Sequence, residues 1–200
     1  MGAGWNLYSM SRINDYYIGE FARDMDLFYD KINNGPGLYA ELGFYLTPEI
    51  STGIGLTYLY GRTKKVDGDW KRSLTTTMYA PEIKIRYHFS RNHPGYFMGG
   101  GLAWCFGKAV LDSKNAPAPW KDSDHYEPDA QGFGITIFTG YDWALNETFS
   151  IGTELGYRYY TTADLEINGE TWIVEYSDSS HKMNLSFSGP FISANLSIKL

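Results

Sequence analysis

A single cysteine, Cys105, stands in 200 residues, so no intrachain disulfide can staple this fold. No apolar run approaches ~18 residues, which excludes a transmembrane helix. No Pro/Gly/Ser-rich linker or break in composition divides the chain, so residues 1–200 read as one domain. A surplus of positive charge is missing too. The formal net charge is −6, which argues against a nucleic-acid partner. What the chain has in quantity is Gly (22) and Tyr (17), with aromatics at 17%, a profile that suits many strands better than a helical bundle.

The clearest pattern runs from Phe133 to Tyr160. Phe133, Ile135, Ile137, Thr139, Tyr141, Trp143 and Leu145 alternate with Gly134, Thr136, Phe138, Gly140, Asp142 and Ala144. After Asn146-Glu147 the alternation resumes, with Phe149, Ile151, Thr153, Leu155, Tyr157 and Tyr159 against Ser150, Gly152, Glu154, Gly156 and Arg158. Side chains alternate across a strand, so this is a hairpin with one apolar face and one small or charged face. Each arm exceeds the ~9–11 tilted residues that cross a bilayer as a strand. A negative mean hydropathy does not oppose that, because such a strand is polar at every second residue.

The same period recurs along the chain. Gly2 to Ser9 makes a short first strand. Residues 14–34 break the period: Ile18, Phe21, Met25, Phe28 and Ile32 step by three and four, predicting an amphipathic helix capped by Asn14 and stopped by Asn34-Gly35-Pro36. Strand two is expected from Gly37 and strand three from Ile50. Asp67-Gly68 predicts a hairpin pairing Tyr60 with Thr75, Leu56 with Tyr79 and Ile50 with Ile85. Pro81 interrupts the ladder of strand four and suggests a bulge or a locally weakened edge. Strand five starts at Tyr96, a polar loop fills 110–130, Asn168-Gly169 marks a further hairpin tip, and Ser177 to Ser180 loosens the chain. The last strand is expected to carry Leu185 and Phe187 outward and to change phase at Gly189-Pro190. Eight strands result, with short turns near 48, 92 and 146 and long loops near 9–36, 62–73, 112–130 and 166–181.

A soluble eight-stranded barrel would also alternate, with its apolar face inward. Two features favour the inside-out arrangement. The polar face is rich in Gly (53, 55, 99, 101, 134, 140, 152, 156), which suits a narrow lumen. The apolar face is zoned, with aliphatics in the middle (Leu42, Ile54, Leu102, Ile137) and aromatics at both ends (Phe44, Tyr87, Tyr96 and Trp143; Tyr58, Trp104, Phe133, Tyr157 and Phe187). Two aromatic girdles about an aliphatic band match the two interfaces of a bilayer. The expected fold is therefore all-β, an eight-stranded antiparallel up-and-down transmembrane barrel with one amphipathic helix in its first long loop.

On these features the chain resembles the small eight-stranded outer-membrane barrels of OmpA/OmpX/OmpW type. Its final strand, with Ile192, Ala194, Leu196, Ile198 and Leu200 at alternate positions, looks like the signal read by the barrel-assembly machinery, although that signal usually ends in an aromatic and Leu200 departs from it. The resemblance implies a bacterial outer membrane and contact with its lipid and lipopolysaccharide. It also implies a monomer, with an extracellular ligand conceivable at the long loops. Since the chain opens Met-Gly-Ala-Gly-Trp, already strand-like, any export signal is expected to have been removed from this numbering.

Candidate chemistry is sparse. His88-Phe89-Ser90 resembles the His-x-Ser of PagL-type lipid A deacylases, yet it falls at the short-turn end, and a strand entering a turn explains it as well. Asp122, Asp124, His125, Glu127 and Asp129 match no defined cation loop. No catalytic residue, metal site or cofactor is expected. The alternation does send Glu41, Glu82, Asp142 and Glu154 inward together with Lys84, Arg86, Arg158 and Lys199. Charges confined to so narrow a lumen should pair. The expected function is a non-enzymatic structural or surface-interaction role with a plugged interior. The alternatives are an OmpW-like conduit for small hydrophobic molecules and a lipid A-modifying hydrolase.

Overall fold

The computed structural model describes residues 1–7, 10, 14, 31–67, 70–89, 95–114, 125–167, 169–171, 173–176 and 179–198. Eight antiparallel strands close into a barrel: β1 Gly2–Leu7, β2 Asn34–Tyr45, β3 Ile50–Asp67, β4 Trp70–His88, β5 Tyr96–Lys114, β6 Asp129–Ala144, β7 Phe149–Asp164 and β8 Gly189–Ile198. Each strand pairs with its sequence neighbours, and β8 pairs with both β7 and β1, so the ring has no free edge. Short turns join β2 to β3 and β6 to β7. In the second of these, Asn146 Oδ1 accepts the N–H groups of Thr148 and Phe149 at 2.9 and 2.8 Å, as a turn asparagine can.

At the other end the strands run on where loops were expected. β3 and β4 pair as far as Asp67 and Trp70, and β5 reaches Lys114, where His125–Tyr126 adds to its edge. Ile167 pairs with Glu170 around Gly169, whose φ of 83° is the left-handed conformation that a tight tip asks of glycine. Ser179 and Ser180, from the stretch expected to loosen the chain, instead open the second strand of a small hairpin, Ile173–Tyr176 on Ser179–Lys182.

Several local expectations are corrected. Ile50 pairs with Tyr87, Leu56 with Pro81 and Tyr60 with Thr77, two residues from the predicted register. A slip of two leaves every side chain on its own face, so the apolar pattern could not detect it. Pro81 causes no bulge. The β4–β5 register is the same on either side of it, and its missing N–H simply leaves a gap in that ladder. β2 begins at Asn34, so the predicted helix does not extend to 34; its body, 15–30, lies outside the described residues. Whether Asn14 caps a helix falls outside the described residues. Its side chain grips the Ile32 backbone, donating to the carbonyl at 3.1 Å and accepting from the N–H at 2.9 Å.

Leu185 and Phe187 face inward and are almost wholly buried. The phase change at Gly189-Pro190 is therefore absent, because odd positions point inward from Met183 through Ser193.

The cross-section changes character along the barrel axis. Between the short turns and the level of Tyr58, Tyr79, Phe106 and Phe133, outward positions are apolar and bare: Leu42 is 80% exposed, Leu102 68%, Ile54 67% and Ile137 62%. Beyond that level the outward residues are mostly polar or charged: Arg62 and Lys64 on β3, Thr77 and Lys71 on β4, Lys108, Asp112 and Lys114 on β5, and Gln131 and Asp129 on β6, with Val66 and Val110 among them. The interior changes in the opposite sense. Charged groups fill it towards the short turns, whereas Leu59, Leu74, Met78, Ala109, Met183 and Leu185 pack it towards the loops.

Candidate functional site

The short-turn half of the lumen is the most chemically distinctive place in the molecule. Glu82, Lys84 and Arg86 alternate along β4 and so share its inward face. Arg86 forks onto Glu41 of β2, with one guanidinium nitrogen on Oε1 and the other 2.7 Å from Oε2. Its second nitrogen also reaches Glu154 Oε1 of β7 at 3.1 Å. Lys84 Nζ lies 3.2 Å from Glu82 Oε1 and 3.8 Å from Glu41 Oε2. Glu82 accepts two further hydrogen bonds, from Thr57 at 2.6 Å and from the Tyr160 hydroxyl at 2.8 Å. Glu82, Lys84 and Glu154 are each no more than 3% exposed.

Arg158 stands apart from the carboxylates. It donates to Asn6 Oδ1 of β1 at 2.6 Å, and its guanidinium lies over the Tyr160 and Phe191 rings at 5.0 and 4.5 Å. The Tyr160 ring thus separates Arg158 from the carboxylate that its own hydroxyl binds. Three acids and three bases balance one another, which is how so many charges are held out of water together. Aromatic faces complete the layer: Phe138 lies under both Lys84 and Arg86 at 5.4 Å. Above it, Tyr160, Leu59, Met78, Cys105, Leu185 and Phe187 form one continuous apolar core. Met10 and Ile32, from the two ends of the first long connection, are buried in that core beside Gly61. The layer can hold the strands in register, and nothing in it is arranged as a nucleophile with its base.

A family model described as "Protein of unknown function (DUF3575)" matches residues 29–193. The chain belongs to that family. The matched stretch carries every inward acid and base named above, from Glu41 to Arg158, while Asn6 precedes it. No curated protein matches the chain.

In this DUF3575 chain the remaining candidates sort as follows. Asp142 is half-buried near the short-turn mouth and makes no ion pair among the described residues; Lys199 and Leu200 lie outside them. Ile192, Ala194, Leu196 and Ile198 all face outward on β8. Ser90 also lies outside the described residues. The hydroxyl at His88 is that of Ser51, 2.9 Å from Nε2, with both side chains buried and the imidazole against Tyr45 and Phe97. That geometry suits a strut between β3 and β4.

Of the loop carboxylates, Asp122 and Asp124 are not described, and Asp129 faces outward on β6. His125 is held between Asp112, 2.7 Å from Nδ1, and Glu127, 3.0 Å from Nε2. Those two hydrogen bonds, the one to Asp112 first, raise the His125 pKa above 6.5. Lys108, 2.5 Å away, and then His125 hold the Glu127 carboxyl below its ordinary value.

The alternation put Tyr39, Phe97 and Phe138 on the inward face, but the aromatic bed they form with Tyr160 and Phe191 beneath the charges went unread. The signal was available, since large rings on an otherwise small face must fill space that other strands leave empty.

Proposed function

We propose that this DUF3575 chain spans a bacterial outer membrane as a closed, non-enzymatic barrel with a structural or surface-contact role, like the small eight-stranded barrels it resembles. One observation carries the reading: the polarity of the barrel inverts at an aromatic collar. Below the collar the wall is apolar outside and charged inside; above it the wall is mostly charged or polar outside and mostly apolar inside, with Arg72 the buried exception. Water on both sides would leave the lower belt bare at a cost of ~25 cal/mol per Å² of apolar surface. Lipid below and water above suit both halves at once. The charge layer and the apolar core fill the lumen in series, so the barrel is plugged, and Met10 and Ile32 are part of that plug.

The full chain should fold only with detergent or vesicles and should migrate differently on a gel before and after boiling. A stable monomer in plain buffer would overturn the reading. Leu102→Arg, in the middle of the belt, should cost roughly 2–4 kcal/mol in a bilayer. Lipid A mass spectra should be the same with and without expression, as expected of a chain that is not an enzyme. The apolar lining of the loop-side interior favours one second reading, a conduit for small hydrophobic molecules. Uptake of an apolar dye by proteoliposomes above that of empty vesicles would support it.

A further inference from the structure

Just beyond the aromatic collar, one side of the barrel is cationic. Arg62 and Lys64 face outward on β3, two and four residues past Tyr60, and Lys71 on β4 and Lys114 on β5 lie further up the same wall. All four are exposed, and none makes an ion pair with a described residue. Lys71 and Lys114 are direct cross-strand partners. Like charges so placed sit ~5 Å apart at Cβ and repel, an arrangement that an anion between them relieves. The acids nearest in register are already engaged, Asp112 with His125 and Glu127 with Lys108 and His125. On the β6–β7 wall the described outward residues at this height are Asp129, Gln131, Thr161 and Ala163, so of these two walls only β3–β5 is cationic.

We infer that the β3–β5 wall above the collar binds the phosphate groups of a membrane lipid, with Arg62 and Lys64 at headgroup height and the Lys71–Lys114 pair reaching a more distal phosphate. The inference rests on the membrane reading, since the collar sets the height at which the acyl chains end. Arg62 suits a phosphate best, because its planar fork can take two oxygens, and Lys64 follows on the same face ~7 Å along the strand. A lipid that carries phosphate on a bulky sugar headgroup meets both levels. A lipid with one phosphate at the acyl boundary meets only the lower.

The test uses the full chain in vesicles of phosphatidylcholine alone, with added phosphatidylglycerol, or with added bisphosphorylated lipid A. It reads the ratio of anionic to zwitterionic lipid bound, by native mass spectrometry. The wild type should select lipid A over phosphatidylglycerol, and both over phosphatidylcholine. Arg62→Gln with Lys64→Gln should lower the preference by about fivefold for each charge removed. Adding Lys71→Gln and Lys114→Gln should abolish the advantage of lipid A over phosphatidylglycerol. Lys182→Gln, a cation outside the patch, should change nothing. A folded double variant, identified by its heat-shifted gel band, that keeps the wild-type preference would overturn the proposal. So would an equal loss in the Lys182 control, or full competition by inorganic phosphate at equal phosphate concentration. Failure to insert into any vesicle would strike the membrane reading instead, so the two failures are distinct.

Discussion

Arg86 is the residue on which the interior layer most depends, because among the described residues it alone touches carboxylates from both β2 and β7. Arg86→Ala would leave Glu154 without its cation and Glu41 with only Lys84 at 3.8 Å. Stranding buried carboxylates in this way costs ~3–5 kcal/mol, to be read from urea unfolding in vesicles. Arg86→Lys keeps the charge but loses the two-pronged grip, so it should fall between alanine and wild type. A second residue-scale expectation concerns His125, far from the layer and open to water. Its pKa is raised above 6.5 on folding, so its contribution is complete below pH 6.5 and fades as pH rises through the folded-state value. Glu127 is lowered below 4.5, so its contribution is complete above pH 4.5 and fades as pH falls through the folded value. The contact is therefore fullest between those limits. An NMR titration of the His125 ring should show the raised value, and Asp112→Asn should bring it down. An unshifted ring in wild type would contradict the contact.

At the scale of elements, period-two alternation revealed the strands and their two faces, from β2 to β7, but not what each face meets. Leu185 and Phe187 show why. An apolar residue alternates identically whether it faces lipid or a packed lumen, so these two looked like belt residues when they belong to the core. Their height was the missing information, and it came from strands that outrun the collar: β3 to β5 each have 18 or 19 residues, about twice what a bilayer needs. The β3–β4 register was illegible for a related reason, since a slip of two residues changes no face. The pairing of Glu41, Glu82 and Glu154 with Lys84 and Arg86 was legible because inward acids and bases have few alternatives, but Asp142 and Arg158 make no ion pair among the described residues. The Arg158–Asn6 contact was not legible, because an amide at position 6 carries no sign of a partner 152 residues away. Asn14 holds the Ile32 backbone with the side-chain oxygen that a helix cap would also use, a contact that the sequence pattern did not signal. Asn14→Ala should leave the buried Ile32 N–H and C=O without their side-chain partners, costing ~1–3 kcal/mol. Hydrogen exchange gives the local reading: the Ile32 amide should exchange faster in the variant. Unchanged protection would mean that the barrel core alone holds that strand entry.

For the molecule as a whole, the inversion of polarity means that the lumen is closed twice, by different physics. Near the short turns it is closed by ion pairs that lose their solvation if they part. Near the loops it is closed by almost wholly buried Leu, Met, Phe and Tyr side chains. Two seals in series predict a specific result in planar-bilayer recordings. The wild type should give no reproducible single-channel steps. Glu154→Ala should also give none, even though it weakens the lower layer and destabilises the fold, because Leu59, Met78, Tyr160 and Leu185 still fill the section above. Nor should Leu59→Ala with Met78→Ala, since Arg86 and Glu41 still bar the section below. Steps are expected only when both sets are combined, and only if that variant still shows the heat-shifted band of a folded barrel. Steps from Glu154→Ala alone would mean that the apolar core parts readily and that the ion pairs are the real gate. Steps from the wild type would show that neither layer seals the lumen.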